Sequence, residues 1–175
     1  VAEFGDAVYA QDDRSVEHRV IDELIERGWT IATAESCTAG LVAARLASVP
    51  GASATLQGGV VAYANAVKVA EVDVPAALIE AHGAVSPEVA RALAEGIRAR
   101  LGTDVGVGIT GIAGPDGGTP DKPVGLVHIA VVGPDGLQEV LERRFPGDRE
   151  AVRGNSATAA LHLVRLLLAS APTRA

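Results

Sequence analysis

Cysteine is nearly absent from this 175-residue chain: Cys37 stands alone, which excludes an intramolecular disulfide. No Cys or His pair has the spacing of zinc ligands, so neither a structural metal nor a cofactor is expected. Aromatic residues make up only 3% of the sequence, so the core must be built from Ala, Val, Leu and Gly, a composition suited to closely packed helix and sheet layers. Long apolar runs are missing too. The longest, such as 129–132 and 166–170, fall far short of the roughly 20 residues needed to cross a bilayer. Positive charge is scarce, with 15 Lys and Arg against 22 Asp and Glu and a formal net charge of −7. That balance repels a phosphate backbone and argues against nucleic acid as a partner. The N-terminal segment carries Glu3 and Asp6 and lacks the cationic start and apolar run of a signal peptide, so a cytoplasmic location is expected.

Lysine is the rarest charged residue, with only Lys68 and Lys122 against 13 Arg. A desolvated lysine can lose its proton near neutral pH, whereas arginine cannot. The two lysines therefore invite a functional reading, with codon bias as the plain alternative.

What remains is 48% hydrophobic, enough for one packed domain. Residues 1–14 are polar and irregular and read as a linker or arm, 15–170 as the domain, and 171–175 as a tail. Val16, Val20, Leu24 and Ile25 recur at helical spacing until Gly28. A short apolar strand spans 29–34, and helical spacing resumes at Leu41. A strand is expected over 55–63, with helical composition over 64–72 and again over 75–81. Ser86-Pro87-Glu88 opens a helix, with serine as N-cap and proline at the first position. Residues 104–109 form a strand followed by a long Gly/Pro loop over 110–123. Two strands flank Gly133-Pro134-Asp135-Gly136, a hairpin signal, and a last helix spans about 148–169. Strands alternating with helices and ending in a hairpin predict an α/β fold: a three-layer α/β/α sandwich on a mixed, mostly parallel sheet with an antiparallel edge hairpin.

Ligands in such folds bind at the carboxyl ends of the strands. Polar clusters fall there at 35–38, 63–68 and 110–118. Ser36 reads either as a helix N-cap or as a nucleophile whose oxyanion meets N–H groups at a helix start. Cys37 is a rival nucleophile or a small buried filler. Neither residue lies in a Gly-x-Ser-x-Gly elbow, and no Lys follows Ser36 three residues on. Among possible bases, His18 and His162 lie in helices, His82 near a helix end and His128 in mid-strand. Lys68 and Tyr63 remain, either as proton-transfer groups or as a snorkelling lysine and a core-edge tyrosine. They can share one site only if Tyr63 closes a strand and Lys68 belongs to the next helix. The glycines from Gly106 to Gly118, including Gly111 and Gly114, let a substrate approach the backbone, although the stretch is neither a P-loop nor a dinucleotide fingerprint. Arg149 and Arg153, one helical turn apart, suit either a phosphate or ion pairs with Asp148 and Glu150.

Several of these segments, in this order, resemble the C-terminal domain of CinA, also found as a stand-alone nicotinamide-mononucleotide amidohydrolase. They are Thr33 to Gly40, Val49 to Ser53, Tyr63 with Lys68, Gly83 to Ser86, Ile109 to Gly118, Pro123 to Gly125 and Gly147 to Arg149. One departure is Ala39, where the family usually has Gly. The resemblance implies a serine amidohydrolase that converts nicotinamide mononucleotide and water to nicotinic acid mononucleotide and ammonia, with a non-catalytic nucleotide-binding regulatory module as the alternative. By position it implies Ser36 as nucleophile, Lys68 and Tyr63 in proton transfer, and Thr110 and Arg149 at the substrate, beside Gly111 and Gly114. Full-length CinA proteins carry a further N-terminal domain, so the chain is expected to be either a stand-alone enzyme or part of a longer protein. The expected partner is a small-molecule nucleotide, with no membrane and a homo-oligomer, preferably a dimer.

Overall fold

The computed structural model describes residues 14–172; the expected arm and tail lie almost wholly outside that range. Five strands, β1 (Ile31–Glu35), β2 (Leu56–Val61), β3 (Val105–Gly111), β4 (Leu126–Val132) and β5 (Gln138–Arg144), form one sheet in the order β2-β1-β3-β4-β5. The helices are α1 (Val16–Arg27), α2 (Leu41–Ala47), α3 (Asn65–Val72), α4 (Ala76–His82), α5 (Pro87–Leu101) and α6 (Arg149–Ser170). β1 pairs in parallel with β2 and β3, while β3–β4 and β4–β5 are antiparallel. The α/β sandwich expected from the sequence is present, but its pairings divide evenly between parallel and antiparallel because only β4 runs against the other four strands.

Helix boundaries follow local chemistry. Gly28 and Gly102 stop α1 and α5 in the left-handed conformation, at φ 64° and 62°, where a Cβ is penalised. Ser86 caps α5 by accepting from the Val89 N–H, and Asp148 caps α6 by accepting from Ala151 N–H.

The two faces of the sheet are built differently. Ile31, Val105, Val107, Ile109, Val127, Ile129 and Val131 pack against α1, α2 and α6. The opposite face carries Ala32, Ala34, Gly106, Gly108 and Ala130, and α5 lies directly on it. A Cβ on Gly108 would stand 2.1 Å from the Ala90 carbonyl oxygen, and one on Gly106 equally close to that of Ala94. The glycines of β3 are thus spacers that let a helix backbone rest on a strand backbone.

Among the described residues, no helix is long and apolar enough to cross a membrane. Gly108→Ala should cost about 1–3 kcal/mol by forcing α5 off the sheet. Gly154→Ala, in α6 with open space where the methyl would go, should instead stabilise by about 0.4–1 kcal/mol. Urea unfolding of the two variants checks both signs.

Candidate active site

The strand β1 ends at Glu35, and its ladder with β3 continues for one more bond, from the Ser36 N–H to Ile109 O at 2.9 Å. A tight turn over 36–40 follows before α2. Ser36 is therefore not the helix N-cap; that position belongs to Gly40. What holds the turn is Glu35, fully buried. Its Oε1 accepts from Thr33 Oγ1 and the Ala43 N–H, and its Oε2 accepts from the N–H groups of Gly40 and Val42, all at 2.9–3.1 Å. An ionised carboxylate in a dry interior needs such donors, and here it takes the main-chain N–H groups at the start of α2. An oxyanion formed at Ser36 therefore has to find donors elsewhere.

Lys68 lies in α3, the helix after β2, as expected, whereas Tyr63 lies two residues beyond the end of β2 rather than closing it. Lys68 is 1% exposed, the bulkiest fully buried side chain among the described residues, and its Nζ donates to the Tyr63 carbonyl at 3.0 Å. Burial pulls its pKa below the usual lysine value, opposed by attraction to the Cys37 sulfur. The residue that receives the amine, Tyr63, lines one cavity together with Cys37. Ser36 itself is 8% exposed. The Cys37 thiol is pushed up to about 11, mainly by burial, which makes it a poor nucleophile near neutral pH.

Tyr63 has two attachments. Its carbonyl receives Lys68, while its hydroxyl accepts from Arg149 Nη2 at 2.8 Å. The Arg149 Nη1 donates to Gly114 O, also at 2.8 Å, so this guanidinium ties the strand end to the Gly/Pro loop. Between them opens a cavity of about 240 Å³, lined by Cys37, Tyr63, Arg149, Asp116 and the stretch from Gly111 to Gly114, with Gly117. Gly114 has φ +82°, and a Cβ there would stand 2.6 Å from Val124 Cγ1, so both backbone and space require glycine. Ser36 and Lys68, both buried, are not part of this lining. Thr110 is buried, and its hydroxyl donates to Ala84 O at 2.7 Å, so it braces the cavity wall from behind. Lys122 acts similarly, its Nζ donating to His82 O and Val85 O at 2.6 and 2.7 Å. No grouping of three or more His, Cys, Asp and Glu side chains suited to a metal ion occurs among the described residues.

The sequence reading missed Glu35 as the organiser of the turn and Lys122 as a tether of the loop. A glutamate at the end of an apolar strand was a visible signal for the first; nothing in the spacing marked the second.

The family model described as the CinA C-terminal domain matches residues 13–168. The chain belongs to the CinA family. A CinA-like protein of Anaeromyxobacter dehalogenans is 56% identical over 165 residues, covering 94% of this chain and 40% of the relative. One from Gemmatimonas aurantiaca is 50% identical over 161 residues, covering 92% of this chain and 37% of the relative. The chain thus spans about 40% of the length of the curated relatives it matches. Among solved structures, the competence/damage inducible protein CihA from Agrobacterium tumefaciens superposes with a TM-score of 0.85 at 36% identity, covering 87% of this chain and 93% of that one. A CinA superfamily protein from Klebsiella pneumoniae gives 0.84, also at 36% identity, covering 88% and 96%.

In this CinA chain the departure at Ala39 has a conformational cost. Ala39 has φ 52°, a left-handed conformation that penalises a Cβ. Ala39→Gly should stabilise by about 0.5–1 kcal/mol in urea unfolding, the relief of strain exceeding the entropy that glycine adds to the unfolded chain.

The lowered pKa of Lys68 gives a second expectation. Over the interval between its native and ordinary values the unfolded chain binds the additional proton, so native stability rises with pH there, and the burial penalty is largest below it. Lys68→Met should melt at a higher temperature than the parent protein at neutral pH, with the gap narrowing toward pH 10 in a series of thermal scans.

Proposed function

We propose that this CinA domain is a serine amidohydrolase that converts nicotinamide mononucleotide and water to nicotinic acid mononucleotide and ammonia. The observation that carries this reading is Lys68: a wholly buried amine that donates to the Tyr63 carbonyl, with burial favouring its uncharged form, and Tyr63 lines one cavity with Cys37, the neighbour of Ser36. An uncharged amine can accept a proton, and a serine needs such a base to attack an amide.

In the reaction, Lys68 Nζ takes the Ser36 hydroxyl proton as Oγ attacks the carboxamide carbon. The carbonyl oxygen becomes an oxyanion. The proton passes to the amide nitrogen, with the Tyr63 hydroxyl serving the transfer, the C–N bond breaks and ammonia leaves. Water then attacks the acyl-serine as Lys68 again accepts a proton, the bond from the acyl carbon to Ser36 Oγ breaks, Lys68 returns the proton to Oγ, and the carboxylate product departs. The cavity is smaller than pockets that enclose a whole drug-sized ligand, so it takes the pyridine end while the phosphate lies toward Arg149 and solvent. Gly111, Gly114 and the Thr110-braced wall shape the ring's seat. A dimeric, cytoplasmic enzyme of nucleotide salvage belongs to the same proposal.

A second reading is a nucleotide-binding module without turnover. It is favoured by the burial of Ser36, which is absent from the cavity lining, and by the commitment of Arg149 to Tyr63 and Gly114.

Ammonia release from nicotinamide mononucleotide separates the two. The purified protein should release it and Ser36→Ala should not. Lys68→Arg should lose at least about 10²-fold in kcat, because a guanidinium stays protonated. Saturable nucleotide binding without ammonia would favour the module, and equal rates from the parent and Ser36→Ala would remove the serine from its role.

A further inference from the structure

Arg153 lies one helical turn beyond Arg149 on α6, yet it points its donors elsewhere. Its Nε donates to Cys37 O at 3.2 Å and its Nη2 to Thr38 O at 3.0 Å. The last helix thereby grips the two carbonyls that follow Ser36, while Glu35 grips the N–H groups of residues 40, 42 and 43 from the other side. The remaining main-chain donors can be followed one by one. The Ser36 N–H goes to Ile109 O, that of Ala39 to Ser36 O, that of Leu41 to Thr38 O and that of Ala44 to Gly40 O. Within 36–44 this leaves the N–H groups of Cys37 and Thr38 without an oxygen acceptor among the described residues.

Peptide planarity turns this accounting into geometry. In a trans peptide the carbonyl of one residue and the N–H of the next point in opposite directions. The bond from Arg153 to Cys37 O therefore fixes the aim of the Thr38 N–H, directed away from the guanidinium. The bond from the Ala39 N–H to Ser36 O fixes the aim of the Cys37 N–H in the same manner. Cys37 lines the cavity, so the two peptides that flank it border the place where substrate would sit.

We infer that Arg153 is a positioning residue: it locks the peptide between Cys37 and Thr38 so that the Cys37 and Thr38 N–H groups hold the oxyanion formed when Ser36 attacks. This rests on Ser36 being the nucleophile of the proposed reaction. Arginine suits the task because its planar fork reaches two carbonyls at once, whereas a lysine presents one ammonium. It also separates the two arginines: Arg149 rims the cavity, while Arg153 braces the turn.

Two measurements on Arg153→Met and Arg153→Lys test the assignment. Kinetics with nicotinamide mononucleotide should show kcat of Arg153→Met down about 10²-fold with KM within about twofold, as for loss of an oxyanion donor. Arg153→Lys should recover part of that rate by holding one carbonyl. Independently of turnover, Cys37 is the chain's single cysteine, and its alkylation by a maleimide reports whether the turn opens. Labelling should be slow in the parent protein and roughly tenfold faster in Arg153→Met, since loosening the turn raises its open population. A raised KM at unchanged kcat would overturn the assignment in favour of a substrate contact, and unchanged labelling with unchanged kcat would show that the turn holds without Arg153. If Arg153→Met fails to fold, the same readouts on Arg153→Lys decide. A parent protein that releases no ammonia would overturn the amidohydrolase reading and the oxyanion role with it. The labelling rates would then still show whether Arg153 holds the turn.

Discussion

A carboxylate sealed from water at the end of a strand is the constraint around which the functional end of this molecule is arranged. Glu35 cannot be left without donors, and the ones it takes are three peptide N–H groups and one threonine hydroxyl. Those bonds bring the start of α2 back over the end of β1 and force the intervening residues into a tight turn. Ser36 is held on that turn close to the sheet, with its own N–H still in the strand ladder. A flexible loop would leave the Ser36 hydroxyl to wander; a turn bonded from both sides presents it in one place.

The second layer of the arrangement is the contrast between the sheet's two faces. Bulky aliphatics separate the sheet from α1, α2 and α6, whereas alanine and glycine allow α5 to sit almost on the strands. The closely packed side carries Ser86, whose preceding carbonyls receive Thr110 and Lys122, so the wall of the cavity is tied to the stiffest part of the fold. The proposed chemistry thus rests on backbone packing several residues away from any reacting atom.

The fold was legible wherever one element produced a complete periodic signal. The apolar stripe of α1, the Ser-Pro-Glu start of α5 and the Gly-Pro-Asp-Gly hairpin each appear where the sequence places them. Strand direction was less legible: periodicity identifies a strand without its sense, so the even division of parallel and antiparallel pairs emerged only from the structure. At the site, Tyr63 and Lys68 were read as able to share one site, and the bond that joins them, from the amine to the Tyr63 carbonyl, was not legible, because side-chain chemistry is visible in a sequence and peptide orientation is not. The same limit hid the roles of Glu35, Lys122 and Arg153, whose partners are all or mostly main-chain atoms. Arg153 resembles one half of a solvated charge pair until its two carbonyl acceptors are known.

Bonding through the main chain has an evolutionary corollary. Glu35 recognises residues 40, 42 and 43 by a group that nearly every amino acid possesses, so the grip itself selects no side chain there; what does is the left-handed backbone at Gly40, φ 90°, and the burial of Val42 in the core. Proline is the exception, since it alone brings no N–H. Substitution at these three sites should therefore answer to backbone conformation and packing, with proline alone excluded by the carboxylate, leaving the glutamate to carry the constraint of the bonds themselves.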